Sequence, residues 1–178
     1  MSEFRVASRY AKSLLDLSKE KNIVEEVYKD MNLVFETIKG VREFDLLLKS
    51  PIVKDSMKEK IMDKIFNKRV HTVTLSFMQL VAKKARATIL ERITREFHNQ
   101  YLILKGIQEV DLTTTFKIDE GLRKEFEAIV EKLTNKQPAL TEKVSDEIIG
   151  GFILDIGDRR IDASIKSNLQ KIEYELTN

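Results

Sequence analysis

Cysteine is absent from the 178 residues, and with it go disulfide frameworks, thiolate zinc sites, thiol nucleophiles and iron–sulfur clusters. Histidine is scarce. His71 and His98 form neither an HxxxH nor an HExxH pair, so each is expected at a helix end or on the surface rather than on a metal. No GxGxxG or GxxxxGK[ST] loop is present to cradle phosphates, and Gly150-Gly151 alone reads as a close backbone approach. Asp155, Asp158 and Asp162 lack the spacing of a calcium loop and read as a turn acid and a helix cap. Ser164 has no histidine near it in sequence to make it a nucleophile. No catalytic residue, cofactor, metal or small-molecule substrate is therefore expected. Two prolines, six glycines and no tryptophan favour long helices. There is no uncharged apolar run of about 18 residues to span a membrane, and Met1-Ser2-Glu3-Phe4-Arg5 lacks the apolar centre of a signal peptide. The expected location is the cytoplasm or the cytoplasmic face of a membrane.

What remains is a chain with 42% hydrophobic and 34% charged residues, apolar enough to bury a core and too charged to live inside a membrane. Its net charge of +2 conceals a split. Cut after Gly106, the first part holds 21 basic and 14 acidic residues, a net +7, and the second holds 10 and 15, a net −5. Opposite signs suit two domains that meet different partners, or a nucleic-acid-binding half followed by an acidic one.

Apolar period differs between the two parts. In residues 4–21, Val6, Tyr10, Leu14 and Leu17 recur at helical spacing beside Ala7 and Ala11. Asn22 is a candidate N-cap for a second helix with the stripe Val24, Val27, Tyr28, Met31, Val34, Phe35 and Ile38, ending at Gly40. Residues 41–49 carry Phe44, Leu46, Leu47 and Leu48 and stop before Ser50-Pro51. Ser56 and Glu59 resemble a capping box for a fourth helix with Met57, Ile61, Met62, Ile65 and Phe66 inward. Residues 71–85 add Val73, Phe77, Leu80 and Val81. Thr88 opens a sixth helix through Ile89, Ile93, Phe97, Tyr101 and Leu104, closed by Gly106. Six helices with short loops in residues 1–106 predict a compact bundle.

From Ile107 to Phe116 the pattern alternates, with Val110, Leu112, Thr114 and Phe116 on one face of a half-buried strand. Asp119 caps a helix whose stripe is Leu122, Phe126, Ile129, Val130 and Leu133. Residues 139–144 read as a strand, residues 148–156 as a central strand with Gly150-Gly151 inside it, and residues 159–161 as its return. Asp162 then caps a last helix with Ile165, Leu169, Ile172 and Leu176 at nearly ideal helical spacing. Residues 107–178 thus form a small α+β domain, and the chain as a whole is mainly α.

Two basic stretches invite a nucleic-acid reading. Lys83-Lys84-Ala85-Arg86 falls at a helix end, where cations meet the negative end of the dipole. Lys54, Lys58, Lys60, Lys64, Lys68 and Arg69 are interleaved with Asp55, Glu59 and Asp63 at helical pairing distances, so a solvated face is favoured and no nucleic-acid partner is expected.

Several segments resemble one family. Val6-Ala7-Ser8-Arg9-Tyr10-Ala11-Lys12-Ser13-Leu14 is similar to the opening helix of the delta subunits of F-type ATP synthases, known in mitochondria as the oligomycin-sensitivity-conferring protein. The run Ile148-Ile149-Gly150-Gly151-Phe152-Ile153-Leu154, then Gly157-Asp158, then Ile161-Asp162-Ala163-Ser164-Ile165 and Leu169, resembles that family's C-terminal signature, with Ala163 where the family usually has glycine. Leu48-Lys49-Ser50-Pro51-Ile52 and Lys84-Ala85-Arg86, followed by Ile93 and Phe97, also fit. The resemblance implies a non-catalytic stator subunit of the proton-translocating synthase. Its N-terminal bundle would bind the N-terminal helix of an alpha subunit, and its C-terminal domain the b subunits of the peripheral stalk. It would sit at the cytoplasmic face of a bacterial plasma membrane, attached through the complex.

The resemblance places the groove for the alpha subunit between the first and fifth helices. The expected lining is Val6, Ala7, Tyr10, Ala11 and Leu14 on one wall and Thr74, Phe77, Met78 and Val81 on the other, some of them shared with the core. For the stalk, the expected contacts are Glu120, Glu125, Glu127 and Glu131 with Ile165 and Leu169.

Overall fold

Two apolar stripes run along the first helix, α1 (Glu3–Glu20), and only one of them is buried. Ala7, Ala11, Leu14, Leu15 and Ser18 face inward, while Val6, Tyr10, Ser13 and Leu17 repeat the same spacing one residue earlier, about 100° round the helix. The structure, a computed structural model, describes residues 3–177 apart from the side chains of residues 175 and 176. Leu176, expected in the last helical stripe, lies outside the described side chains.

Asn22 ends α1 rather than capping the next helix. It takes a left-handed φ of 55°, which asparagine tolerates, and the Ile23 N–H donates back to the Ser18 carbonyl at 3.0 Å. α2 (Val24–Gly40) and α3 (Arg42–Lys49) follow, and α4 (Asp55–Phe66) starts one residue before Ser56. The expected capping box is not formed, because Lys54 holds the N-cap position without a side-chain bond. α5 (Thr72–Lys83) is capped by His71, whose Nδ1 accepts the Val73 N–H at 3.2 Å. Asp30 of α2 completes that cap by accepting both the His71 N–H and the Thr74 hydroxyl at 2.7 Å. A 3-10 turn, Ala87–Ile89, leads into α6 (Leu90–Lys105), which Gly106 ends at a φ of 65°.

These six helices share one core, in which Met31, Leu48, Met62, Phe66, Met78, Leu90, Ile93 and Phe97 are fully buried. Met57 was expected on the buried face of α4 and is exposed, as are Leu46, Leu80 and Leu104 of the other apolar series. One basic residue goes the other way. Lys58 is 4% exposed and its ammonium donates to the Leu48 carbonyl at 2.9 Å, so it closes the negative end of α3 instead of joining a surface patch. His98 is not at a helix end. It is half-buried in mid-α6, stacked on Tyr28, with the Tyr28 hydroxyl 3.1 Å from its Nδ1. Tyr28 also stacks on Tyr101, whose phenol is pushed up to about 12 by burial first and then by its bond to the Glu25 carboxylate.

The chain divides after Tyr101, and the second unit spans Leu102–Asn178. Here β1 (Ile107–Thr114) pairs in parallel with β2 (Gln137–Val144), and the connection between them carries α7 (Glu120–Thr134), as a parallel pair requires. β3 (Phe152–Ile156) lies antiparallel on the other side of β1, and β4 (Arg159–Asp162) antiparallel to β3, giving the sheet order β2-β1-β3-β4. Helix α8 (Ile165–Thr177) ends the described chain. The core is small: Val110, Leu112, Ile118, Val130, Leu154 and Ile156. The fold is mainly helical with one small sheet near the C-terminus.

Three expectations fail here for local reasons. Phe116 lies beyond the end of β1 and is exposed. Residues 148–156 are not one strand, because Asp146–Ile148 form a 3-10 turn and Gly150-Gly151 a bend before β3. Gly151 has a φ of 80°, and a side chain there would run into the Ala163 carbonyl oxygen, so the pair serves backbone packing rather than a sheet ladder. The N-cap of α8 is Ser164, not Asp162. Ser164 Oγ accepts the Ser167 N–H at 3.2 Å, while Asp162 accepts from the Ser164 N–H and from the Ser167 hydroxyl.

Candidate functional site

Of the nine residues expected to line a groove on α1 and α5, six are sealed in the core. Ala7, Ala11, Leu14, Thr74, Met78 and Val81 are essentially inaccessible, because they lie on the inward stripes that the helix period dictates. Thr74 is further tied down by its bond to Asp30. The outward stripes remain reachable. Val6 and Tyr10 are half-buried, and Phe77 is just closed off, its ring edge-on to Tyr10 with centroids 6.2 Å apart.

That aromatic pair lies on a seam between α1 and α5 with a hollow at each end. The larger, about 300 Å³, is lined by Leu17, Thr72, Val73, Ser76, Phe77 and Leu80 and is strongly apolar. The smaller, about 190 Å³, is lined by Val6, Arg9, Tyr10, Ser13 and Arg86. Leu17 and Leu80 are 38% and 46% exposed, so apolar surface is open to water without being needed by the core. Sequence reasoning missed Leu17, Val73, Ser76 and Leu80 as lining residues. The signal that finds them is the second repeat, 6-10-13-17 on α1 and 73-77-80 on α5, offset by one residue from the core repeat.

The second unit offers a different surface. Helix α8 buries none of its described side chains. Ile165, Leu169 and Ile172, at i, i+4 and i+7, are each about half exposed on one face. Ile165 also packs its Cδ1 over Gly150, where a Cβ would come within 2.6 Å of it. The four acidic residues expected beside α8 are all on α7. Glu120, Glu127 and Glu131 fall within about 40° of one another round that helix, while Glu125 points about 140° away. Glu127 is half-buried and the other three are exposed. Ile129 and Leu133 of α7, expected in the core, are exposed too. The start of α8 is electrostatically set: hydrogen bonds from the Ser167 hydroxyl, then from Ser164, hold the Asp162 carboxyl down at about 2.

Part of the first unit's positive charge is taken up within the chain. Lys58 is buried, Lys83 pairs with Glu59 at 3.2 Å, and Lys39, Lys49 and Arg95 all converge on Glu91. Contact with Lys39 first, and then Arg95, holds the Glu91 carboxyl below its ordinary value. Among the described residues no cluster of three His, Cys, Asp or Glu side chains could hold a metal ion.

What the geometry defines is a mainly helical protein of two units, with an apolar seam between packed helices in one unit and an uncovered amphipathic helix in the other. Comparison with known proteins gives that class a family. The ATP synthase delta (OSCP) subunit family matches residues 6–176. ATP synthase subunit delta of Cytophaga hutchinsonii is 37% identical over 177 residues, covering 99% of this chain and 97% of that protein. The subunit delta of Flavobacterium psychrophilum is 34% identical over the full length of both chains. A chain of the Toxoplasma gondii mitochondrial ATP synthase hexamer shares the fold, with a TM-score of 0.72 at 22% identity and 97% of each chain covered. The chain belongs to the ATP synthase delta (OSCP) subunit family.

Proposed function

We propose that this chain is a non-catalytic stator subunit of an F-type ATP synthase. Its six helices act as a bundle that grips the N-terminal helix of an alpha subunit of the catalytic head, and its second unit joins the b subunits of the peripheral stalk. The complex works at the cytoplasmic face of a bacterial plasma membrane. No helix among the described residues is long and apolar enough to cross a membrane, so attachment in this reading runs through the stalk.

The observation that carries the reading is the apolar hollow bounded by Leu17 on α1 and by Val73 and Leu80 on α5. A partner helix laid along it would insert side chains at i, i+3 or i+4 and i+7, the helix-in-groove mode. A stator must outlast the torque of each turnover. A dissociation constant near ~1 nM corresponds to about −12 kcal/mol, and with an association rate of ~10⁶ M⁻¹s⁻¹ the contact lasts of order 10³ s. Turnover at a typical ~10 s⁻¹ is far shorter.

The test is calorimetry of the full chain with a synthetic peptide of the N-terminal helix of the alpha subunit. Leu80→Asp changes an exposed residue, so the melting temperature should hold, yet binding should weaken by more than ~2 kcal/mol as a central anchor is lost. Tyr10→Asp should weaken it similarly, with some loss of stability because Tyr10 also packs on Phe77. Unchanged affinity in both variants would remove the seam from the head contact.

A further inference from the structure

We propose that the helix received by the α1–α5 seam carries a carboxylate, Asp or Glu, that seats between the guanidinium groups of Arg9 and Arg86 and fixes the direction and register in which that helix lies. The inference rests on the groove reading above and adds the partner's chemistry.

The two arginines come from opposite walls of the smaller hollow. Arg9 stands on α1 next to Tyr10. Arg86 is turned back toward the seam after α5 ends, because Ala85 takes a left-handed φ of 55° and the Arg86 N–H donates to the Val81 carbonyl at 3.0 Å. The Arg86 guanidinium lies over the Tyr10 ring, 5.8 Å from its centroid, which orders the cation without neutralising it. Among the described residues neither Arg9 nor Arg86 has a carboxylate within ion-pairing distance; Arg5, Arg42, Arg69 and Arg159 have none either, but Arg9 and Arg86 are the two arginines that line the smaller hollow. The floor between them is Val6, Tyr10 and Ser13, an apolar surface with a single aliphatic hydroxyl, so an anion arriving on a partner would be shared by two planar donor forks over a partly dry base.

The spacing makes the requirement specific. Arg9 lies two helical turns before Leu17 on α1, about 12 Å along the axis. A partner helix whose apolar side chain fills the Leu17–Leu80 hollow therefore presents its acid some seven or eight residues away, on the same face. A helix entering the other way round, or slipped by one turn, would bring apolar or basic groups to two unpaired cations. That penalises the wrong register rather than merely rewarding the right one.

Calorimetry of the full chain with the N-terminal peptide of the alpha subunit tests this, using the peptide as it is and versions with each acid changed to its amide. Arg9→Gln and Arg86→Gln should each weaken the unmodified peptide roughly five- to tenfold and flatten its salt dependence, while Arg86→Lys should recover most of the loss. One amide peptide should bind as weakly to the unmodified chain as the unmodified peptide binds to Arg86→Gln, with no further loss when both changes are combined. If the unmodified peptide binds but all these variants stay within twofold, the carboxylate contact is wrong and the groove stands. If that peptide fails to bind even the unmodified chain, the groove itself is wrong and this inference goes with it.

Discussion

The first unit builds a large apolar core and the second only a small one. In the six-helix part every helix contributes side chains to one continuous core, and the apolar surface left exposed includes a second stripe along a seam already built. In the second part six buried residues hold the sheet to α7, and α8 adds none of its described side chains. The same amphipathic helix pattern thus has two outcomes. On α1 the partner would extend a finished packing, so binding is an addition to a rigid wall. On α8 the partner would supply the packing that the helix lacks, so binding and helix stability are coupled.

The largest expected effect breaks the comparison at its covalent minimum, one methyl group. Gly151→Ala puts a Cβ against the Ala163 carbonyl oxygen in a left-handed residue. The left-handed strain and the backbone clash should together cost about 3 kcal/mol or more. With so few buried residues to absorb it, the second unit should lose hydrogen-exchange protection over β1, β3 and β4. The helices of the first unit should keep theirs. Equal loss in both would mean that the two units are one cooperative structure.

How far the residues alone reveal this follows from the same contrast. Helix existence was legible because 3.6-residue repeats are strong in α1, α2 and α6, and the switch to alternation at Val110, Leu112 and Thr114 marked the sheet. Termini were less so. Asn22 closes α1 instead of opening α2, and Ser164 takes the capping role expected of Asp162, because capping residues also suit turns and only three-dimensional neighbours decide which role is taken. Groove residues were legible only in part. Tyr10 and Phe77 belong to the outer stripes, but Ala7 and Met78 belong to the inner ones, and a single apolar period cannot separate stripes one residue apart. Lys58 was unreadable for another reason: its stem is apolar and its one partner is the backbone carbonyl of Leu48, ten residues earlier in the chain.

A smaller effect sharpens the contrast on α8. Leu169 is 55% exposed and lies outside the buried core, so Leu169→Asp should shift the stability of the isolated chain by no more than about 0.5 kcal/mol. If the proposed stalk contact runs through α8, binding to a purified b subunit should weaken by about 1.5 kcal/mol or more, the scale of burying one leucine. Sedimentation of the chain and the b subunit together reads the second quantity and urea titration the first. A large stability loss with intact binding would place Leu169 in the core of its own unit rather than on its docking face.

The smallest effect concerns how α8 begins. Asp162 is held at about 2 instead of 3.8, chiefly by the Ser167 hydroxyl and then by Ser164, so the folded state favours its ionised form. The sign follows from linkage: a carboxyl depressed by folding contributes fully above the unfolded value, and that contribution is lost as the pH falls from about 4 toward 2. Asp162→Asn keeps the shape and can still accept the Ser164 N–H, but it does not titrate. The thermal midpoint of the second unit should therefore be lower in the variant at pH 5, and the gap to the unmodified chain should close by pH 2. Comparing the two chains at each pH cancels the other carboxylates, including Asp155, which Arg160 holds down. A gap that stays constant across that range would mean the Ser164–Ser167 cap works without the charge, leaving hydrogen-bond geometry alone to start the helix that the stalk would receive.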